Sequence, residues 1–137
     1  MFFFAAAAIL ALHRVATDLQ PNLALPALDP VLFEQVLFNL LDNAAKYAPA
    51  DTTITLRVRQ HGDTVIEVLD EGAGLADPER IFAPFDRGGN IDGRPAGTGL
   101  GLAICRGFMT AMGGAITAAS RTDRPGAVFT LTLKSPA

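Results

Sequence analysis

Apolar and polar positions follow a helical period from Pro30 to Tyr47. At about 100° per residue, Val36, Leu37, Leu40, Leu41, Ala44 and Ala45 sweep one broad side. Gln35, Asn39, Asp42, Asn43 and Lys46 fall together on the remaining face. Asp29-Pro30 supplies the start, with Asp29 as N-cap and Pro30 at the first helical position. Pro49 supplies the stop. Residues 53–59 then switch to a period of two, with Ile54, Leu56 and Val58 on one face, and residues 64–70 do the same. Gly62-Asp63 between them is a turn signal, so the two runs predict a hairpin. Upstream, residues 13–19 alternate loosely and predict a strand, and Pro21 and Pro26 bracket an irregular stretch. Residues 75–96 are rich in Gly, Pro, Asp and Arg and predict a long connection with one short helix at 78–81. Such a long connection in a compact domain is a functional lid or a disordered segment. Residues 98–112 predict a second helix, ended by Gly113-Gly114. Residues 115–120 and 127–133 predict a second strand pair around Asp123-Arg-Pro-Gly126.

The predicted order is helix, two strands, lid, helix, two strands. Hairpins with helices gathered on one face make an α/β (α+β) two-layer sandwich. A doubly wound parallel sheet is disfavoured, because the strands pair locally instead of alternating singly with helices. At 137 residues the chain predicts one domain, over 13–137. Residues 1–12, MFFFAAAAILAL, form a separate apolar run. That run is short of the about 20 residues that span a bilayer and lacks the basic start of a signal peptide. It reads as an amphipathic or buried helix or the frayed edge of a truncated chain; a membrane-proximal remnant is the alternative. The chain is 50% hydrophobic and 18% charged, which favours a single packed core. A net charge of -3 without a basic run argues against a non-specific nucleic-acid binder. The lone Cys105, with no Cys/His cluster at metal-ligand spacing, fits a reducing, cytoplasmic setting.

Four segments carry candidate chemistry, in fixed order. They are Asn39-Leu-Leu-Asp-Asn43-Ala-Ala-Lys46-Tyr47, Asp70-Glu-Gly72-Ala-Gly74, Phe82-Ala-Pro-Phe85 and Gly97-Thr98-Gly99-Leu100-Gly101-Leu. An Asp at a strand end can accept a hydrogen bond from the exocyclic amine of adenine, and Gly72 and Gly74 let backbone approach a ligand. Gly97, Gly99 and Gly101 at a helix start clear a path for phosphate toward free N–H groups. No strand immediately precedes them, which disfavours a Rossmann reading, and there is no G-x-x-x-x-G-K-[ST] run. The Asn43 amide oxygen suits Mg²⁺, a hard cation that takes oxygen ligands. Lys46 and Arg87 are candidate phosphate contacts, and Phe82 and Phe85 are candidate lid anchors. Each has a plainer reading: a solvated helix stripe, an ordinary turn at Asp70, a surface charge at Arg87, core packing for the two Phe. Glu71 reads as solvent-facing. His13 and His61 have no neighbouring carboxylate to activate them and read as structural. Cys105 reads as a small buried side chain.

These segments resemble the N, G1, F and G2 boxes of the catalytic, ATP-binding domain of bacterial sensor histidine kinases, part of the gyrase/Hsp90/histidine kinase/MutL group. The resemblance covers about residues 29–133, and ALDPVLFEQVLFNLLDNAAKYAP with GTGLGLAICRGFM is most similar to the potassium-responsive sensor kinases. It implies a Bergerat-type fold, a mixed, mostly antiparallel sheet covered on one face by helices, with residues 75–96 as a mobile ATP lid. It places adenine recognition on Asp70 with Gly72 and Gly74, and Mg²⁺ coordination on Asn43. Phosphate contacts fall on Asn39, Lys46 and the loop Gly97, Thr98, Gly99, Leu100 and Gly101. Tyr47 packs near the nucleotide, and Phe85 and Arg87 contact it from the lid. Asn39, Asn43 and Lys46 are the implied catalytic set. Hydrolysing members of the group resemble this helix but carry a Glu where Asn39 stands. Asn cannot take a proton at neutral pH, and Glu34 lies about 140° round the helix, so attack by water is poorly supported. Sensor kinases carry their acceptor His on a preceding dimerisation helix, followed by Glu or Asp, and this chain has no such helix. The expectation is a chain that binds Mg-ATP but does not phosphorylate itself. Its partners would be a separate phosphoacceptor His domain and, through it, a response regulator. A non-catalytic nucleotide-binding or regulatory module, and an ATPase of the same fold, are the alternatives.

Overall fold

The computed structural model describes residues 13–24, 26, 28–83 and 101–134. The expectations for residues 1–12, for 84–96 of the lid and for 98–100 of the second helix lie outside that set. Helix α1 spans Pro30–Tyr47 as its periodicity predicts. Asp29 Oδ1 accepts from Val31 N at 2.9 Å and Leu32 N at 3.3 Å, satisfying two amides that have no partner within the helix. The chain turns extended at Ala48, before Pro49. Val36, Leu40, Leu41 and Ala44 are buried, so the apolar side of α1 faces the core.

Five strands form one sheet: β1 (Arg14–Leu19), β2 (Thr53–His61), β3 (Asp63–Leu69), β4 (Ala115–Ser120) and β5 (Ala127–Leu133), in the order β1-β2-β3-β5-β4. β1 pairs parallel with β2, and the other three pairings are antiparallel. A parallel pair needs a long crossover, and α1 lies in that connection. β2 and β3 run closer together than predicted, with only Gly62 between them at φ +81, a conformation that suits glycine. The two hairpins join through β3 and β5, where Ile66 meets Leu131 and Val68 meets Phe129. Those side chains, with Ile54, Ile116 and Leu133, form the sheet's half of the core.

Helix α2 is described over Gly101–Ala111 and buries Cys105 and Met109 against that core. Gly113 at φ +75 ends it, and Gly114 N returns to Met109 O at 2.8 Å. The short helix predicted at 78–81 is a 3₁₀ turn over Arg80–Phe82 instead, closed by Ala83 N on Arg80 O at 3.0 Å. Three residues are enough for a 3₁₀ turn and too few for an α-helix.

Candidate nucleotide-binding site

Asp70 follows the last residue of β3 and is 1% exposed. Its backbone N–H still pairs with Ala127 O at 2.9 Å, so the β5 ladder holds its main chain. Oδ1 accepts from Gly72 N at 2.9 Å and Ala127 N at 3.1 Å. Two fixed amides on one oxygen set the plane of the carboxylate. A carboxylate has about four acceptor positions, so further donors can be read. A buried carboxylate at a strand end is costly unless hydrogen-bonded, and here two backbone amides serve it.

Gly72 brings this loop against the end of α1. A Cβ there would stand 2.9 Å from Tyr47 O and 3.2 Å from Asp70 Oδ1. The end of α1 at Tyr47 thus lies beside the Asp70 loop, and Asn43 and Tyr47 are both half-buried. Gly74 takes φ +89, and a Cβ on it would meet Ser120 Oγ at 3.0 Å. Ser120 secures the next residue twice: its Oγ accepts from Leu75 N at 2.9 Å and donates to Leu75 O at 3.0 Å.

Asn39 is half-buried, and its Nδ2 donates to Gly101 O at 3.4 Å, which ties mid-α1 to the start of α2. Burial holds the Cys105 thiol up at about 11, offset in part by a hydrogen bond with Asn39. Lys46 is 64% exposed and pairs with Asp42 at 2.9 Å. An exposed i,i+4 pair is weak, so Lys46 can exchange Asp42 for another anion. Phe82 is buried edge-on to Phe129, ring centroids 6.4 Å apart. Arg106 of α2 lies over the ring of that anchor, 4.1 Å from its centroid, and pairs with Glu79 at 3.3 Å. Phe85, Arg87, Gly97, Thr98, Gly99 and Leu100 lie outside the described residues. Glu71 is not solvent-facing as predicted. It is half-buried, with Arg124 Nη1 3.8 Å from its Oε2, because the β4–β5 loop folds over it.

The end of β4 and that loop supply three residues that sequence reasoning missed. Ser120 is one. Gly126, at φ +145, is another: a Cβ there would fall 2.0 Å from Asp70 O. Arg121 is the third, with a side chain only 7% exposed. Their one local signal is the Pro-Gly turn, which says nothing of a contact with Asp70. His13, just before β1, donates from Nε2 to Ala48 O at 3.1 Å and braces the end of α1.

Comparison with known proteins gives the same frame. Residues 28–137 match the family of histidine kinase-, DNA gyrase B- and HSP90-like ATPases. The chain belongs to that family. The sensor protein KdpD of Mycobacterium tuberculosis is 42% identical over 127 residues, covering 89% of this chain and 14% of that protein. The chain therefore spans about one seventh of that relative. The mycobacterial sensor histidine kinase MprB superposes with a TM-score of 0.80 over 99% of this chain and 91% of that one, at 23% identity, a likeness of fold. Full-length ShkA in complex with AMPPNP matches with a TM-score of 0.75 at 27% identity, covering 99% of this chain and 30% of that one. The chain is thus a histidine kinase-type ATPase domain with the sandwich expected from its pattern.

Among the described residues, no three His, Cys, Asp or Glu gather into a metal cage. Mg²⁺ suits such a site when it arrives with phosphates and keeps its waters, taking one or two protein oxygens. The half-buried Asn43 on the site face of α1 fits that limited demand.

Proposed function

We propose that this histidine kinase-type domain binds Mg-ATP and donates the γ-phosphoryl group to a histidine on a separate phosphoacceptor domain, on the cytoplasmic side, for relay to a response regulator. One observation carries the reading: a fully buried Asp70 whose carboxylate is oriented by two backbone amides, beside a glycine that a side chain would block. In this reading the Asp70 carboxylate accepts the adenine amine, and Gly72 and Gly74 let the base lie close to the backbone. Tyr47 packs near the nucleotide. Asn39, Lys46 and the Gly97, Thr98, Gly99, Leu100 and Gly101 loop contact phosphate, with Phe85 and Arg87 closing from the lid. Asn43 would hold Mg²⁺, which would supply positive charge to offset that of the phosphates. Phosphoryl transfer asks mainly for positioning and charge stabilisation, and no carboxylate at position 39 activates water.

The chain's own histidines support an external acceptor. His61 ends β2, about 20 Å along the sheet from Asp70 at about 3.3 Å per residue. His13 lies at the site end, but its ring is bound to Ala48 O. The test uses γ-labelled ATP with Mg²⁺, with and without a supplied dimerisation domain carrying an acceptor His. Acid-labile label on the acceptor alone is expected. Label on the chain alone would contradict the external acceptor. Steady phosphate release lost in Asp70→Asn would mark an ATPase, and binding without transfer a regulatory module.

A further inference from the structure

Arg121 directly follows β4, and its guanidinium is buried beside the nucleotide site without belonging to any of the four motifs. All three of its nitrogens donate. Nε donates to Asp123 Oδ1 at 3.0 Å, Nη2 to Asp123 Oδ2 at 2.9 Å, and Nη1 to Asp70 O at 3.2 Å. The bidentate pair with Asp123 fixes the guanidinium plane, and the third arm then lands on the carbonyl of the buried aspartate. Arg121 N also donates to Gly126 O at 2.8 Å, closing the loop so that Gly126 lies flat against the same carbonyl. Asp70 is therefore held at its amide by β5, at Oδ1 by Gly72 and Ala127, and at its carbonyl by Arg121.

We propose that Arg121, clamped by Asp123, is a positioning residue that sets the Asp70 carboxylate for a 6-amino purine and so determines nucleotide specificity. The inference rests on the reading of Asp70 as the adenine acceptor. Hydrogen bonds weaken steeply as angle and distance drift, so loosening the Asp70 peptide degrades the amine contact before it affects phosphate contacts. Lysine cannot replace this arginine, because a single ammonium cannot grip both Asp123 oxygens in a fixed plane and still reach Asp70 O.

The test compares ATP with purine riboside triphosphate, which lacks the exocyclic amine, by calorimetry on the whole chain. Wild type, Arg121→Ala, Arg121→Lys and Asp123→Asn are measured, with thermal unfolding to confirm that each is folded. The wild type should prefer ATP by about tenfold or more, about 1.4 kcal/mol. In Arg121→Ala and Arg121→Lys that preference should fall toward one, through loss of ATP affinity with little change for the purine analogue. Asp123→Asn alters a half-exposed side chain whose hydrogen bonds run to Arg121, and loosens the grip that aims the Arg121 fork, so it reports even if the arginine variants fail to fold; its preference should fall in the same direction. A preference unchanged in the folded variants overturns the inference, and so does equal weakening of both nucleotides, which marks a plain structural brace. A wild type that shows no preference overturns the Asp70 reading itself.

Discussion

Asp123 keeps about half its side chain in water, yet the Arg121 fork pulls its carboxyl from an ordinary 3.8 down to about 2, chiefly through the hydrogen bond and then through charge. The folded value lies below the unfolded one, so the pair's contribution is present above about pH 4 and is lost as pH falls through about 2. Carbon-detected NMR of Asp123 should give a midpoint near 2, and the stability gap between wild type and Asp123→Asn should close over the same interval. A midpoint at the ordinary 3.8 would mean that the fork is not made in solution. This residue also marks where sequence reading ran out. Asp70, Gly72 and Gly74 were legible because a strand end followed by closely spaced glycines is a local pattern with a physical meaning. Arg121 meets Asp70 across 51 positions and Ser120 meets Leu75 across 45. In the sequence Arg121 looks like an ordinary residue of a polar hairpin loop and Ser120 like the plain end of a strand.

Elements were more legible than single contacts. The bounds of α1 follow from an N-cap, a proline at each end and an apolar stripe, all encoded within about twenty residues. Replacing Asp29 by Ala removes the acceptor for two helix amides, and should cost about 1 kcal/mol. Urea unfolding should show the midpoint fall with the slope unchanged; an unchanged midpoint would mean water satisfies those amides equally well. β4 and β5 have the predicted bounds because a two-residue period bordered by turn signals survives in the fold. β1 was weaker, for a visible reason: every one of its residues is exposed, so little burial disciplines its alternation. It is tied down instead by pairing with β2 and by Asp18, which bonds Arg57 and Arg59. Its parallel direction is set by the long crossover through α1, which no window on the β1 sequence contains.

At the scale of the molecule, the site belongs to no single element. Asp70 hangs from β3, its carboxylate is oriented by β5, its carbonyl is held by the β4–β5 loop, and Gly72 abuts the end of α1. Asn39 joins α1 to the first residue of α2. A nucleotide that engages these parts together can bind only the folded chain, since unfolding scatters them. Mass action then makes the ligand a stabiliser of the entire domain, by about 2.7 kcal/mol at a hundredfold excess over Kd. At about 2.1 cal/mol/K of unfolding entropy per residue, that is a rise in Tm of about 9 °C for a chain of this length. Thermal unfolding with and without saturating Mg-ATP checks it. The wild type should show the rise and Asp70→Asn should lose most of it, while Asp29→Ala, destabilised at a distance, should keep it in full because its pocket is untouched. A rise that survives in Asp70→Asn would place the nucleotide elsewhere on the fold. No rise in the wild type would mean that these elements, though assembled, do not form a working pocket in this chain.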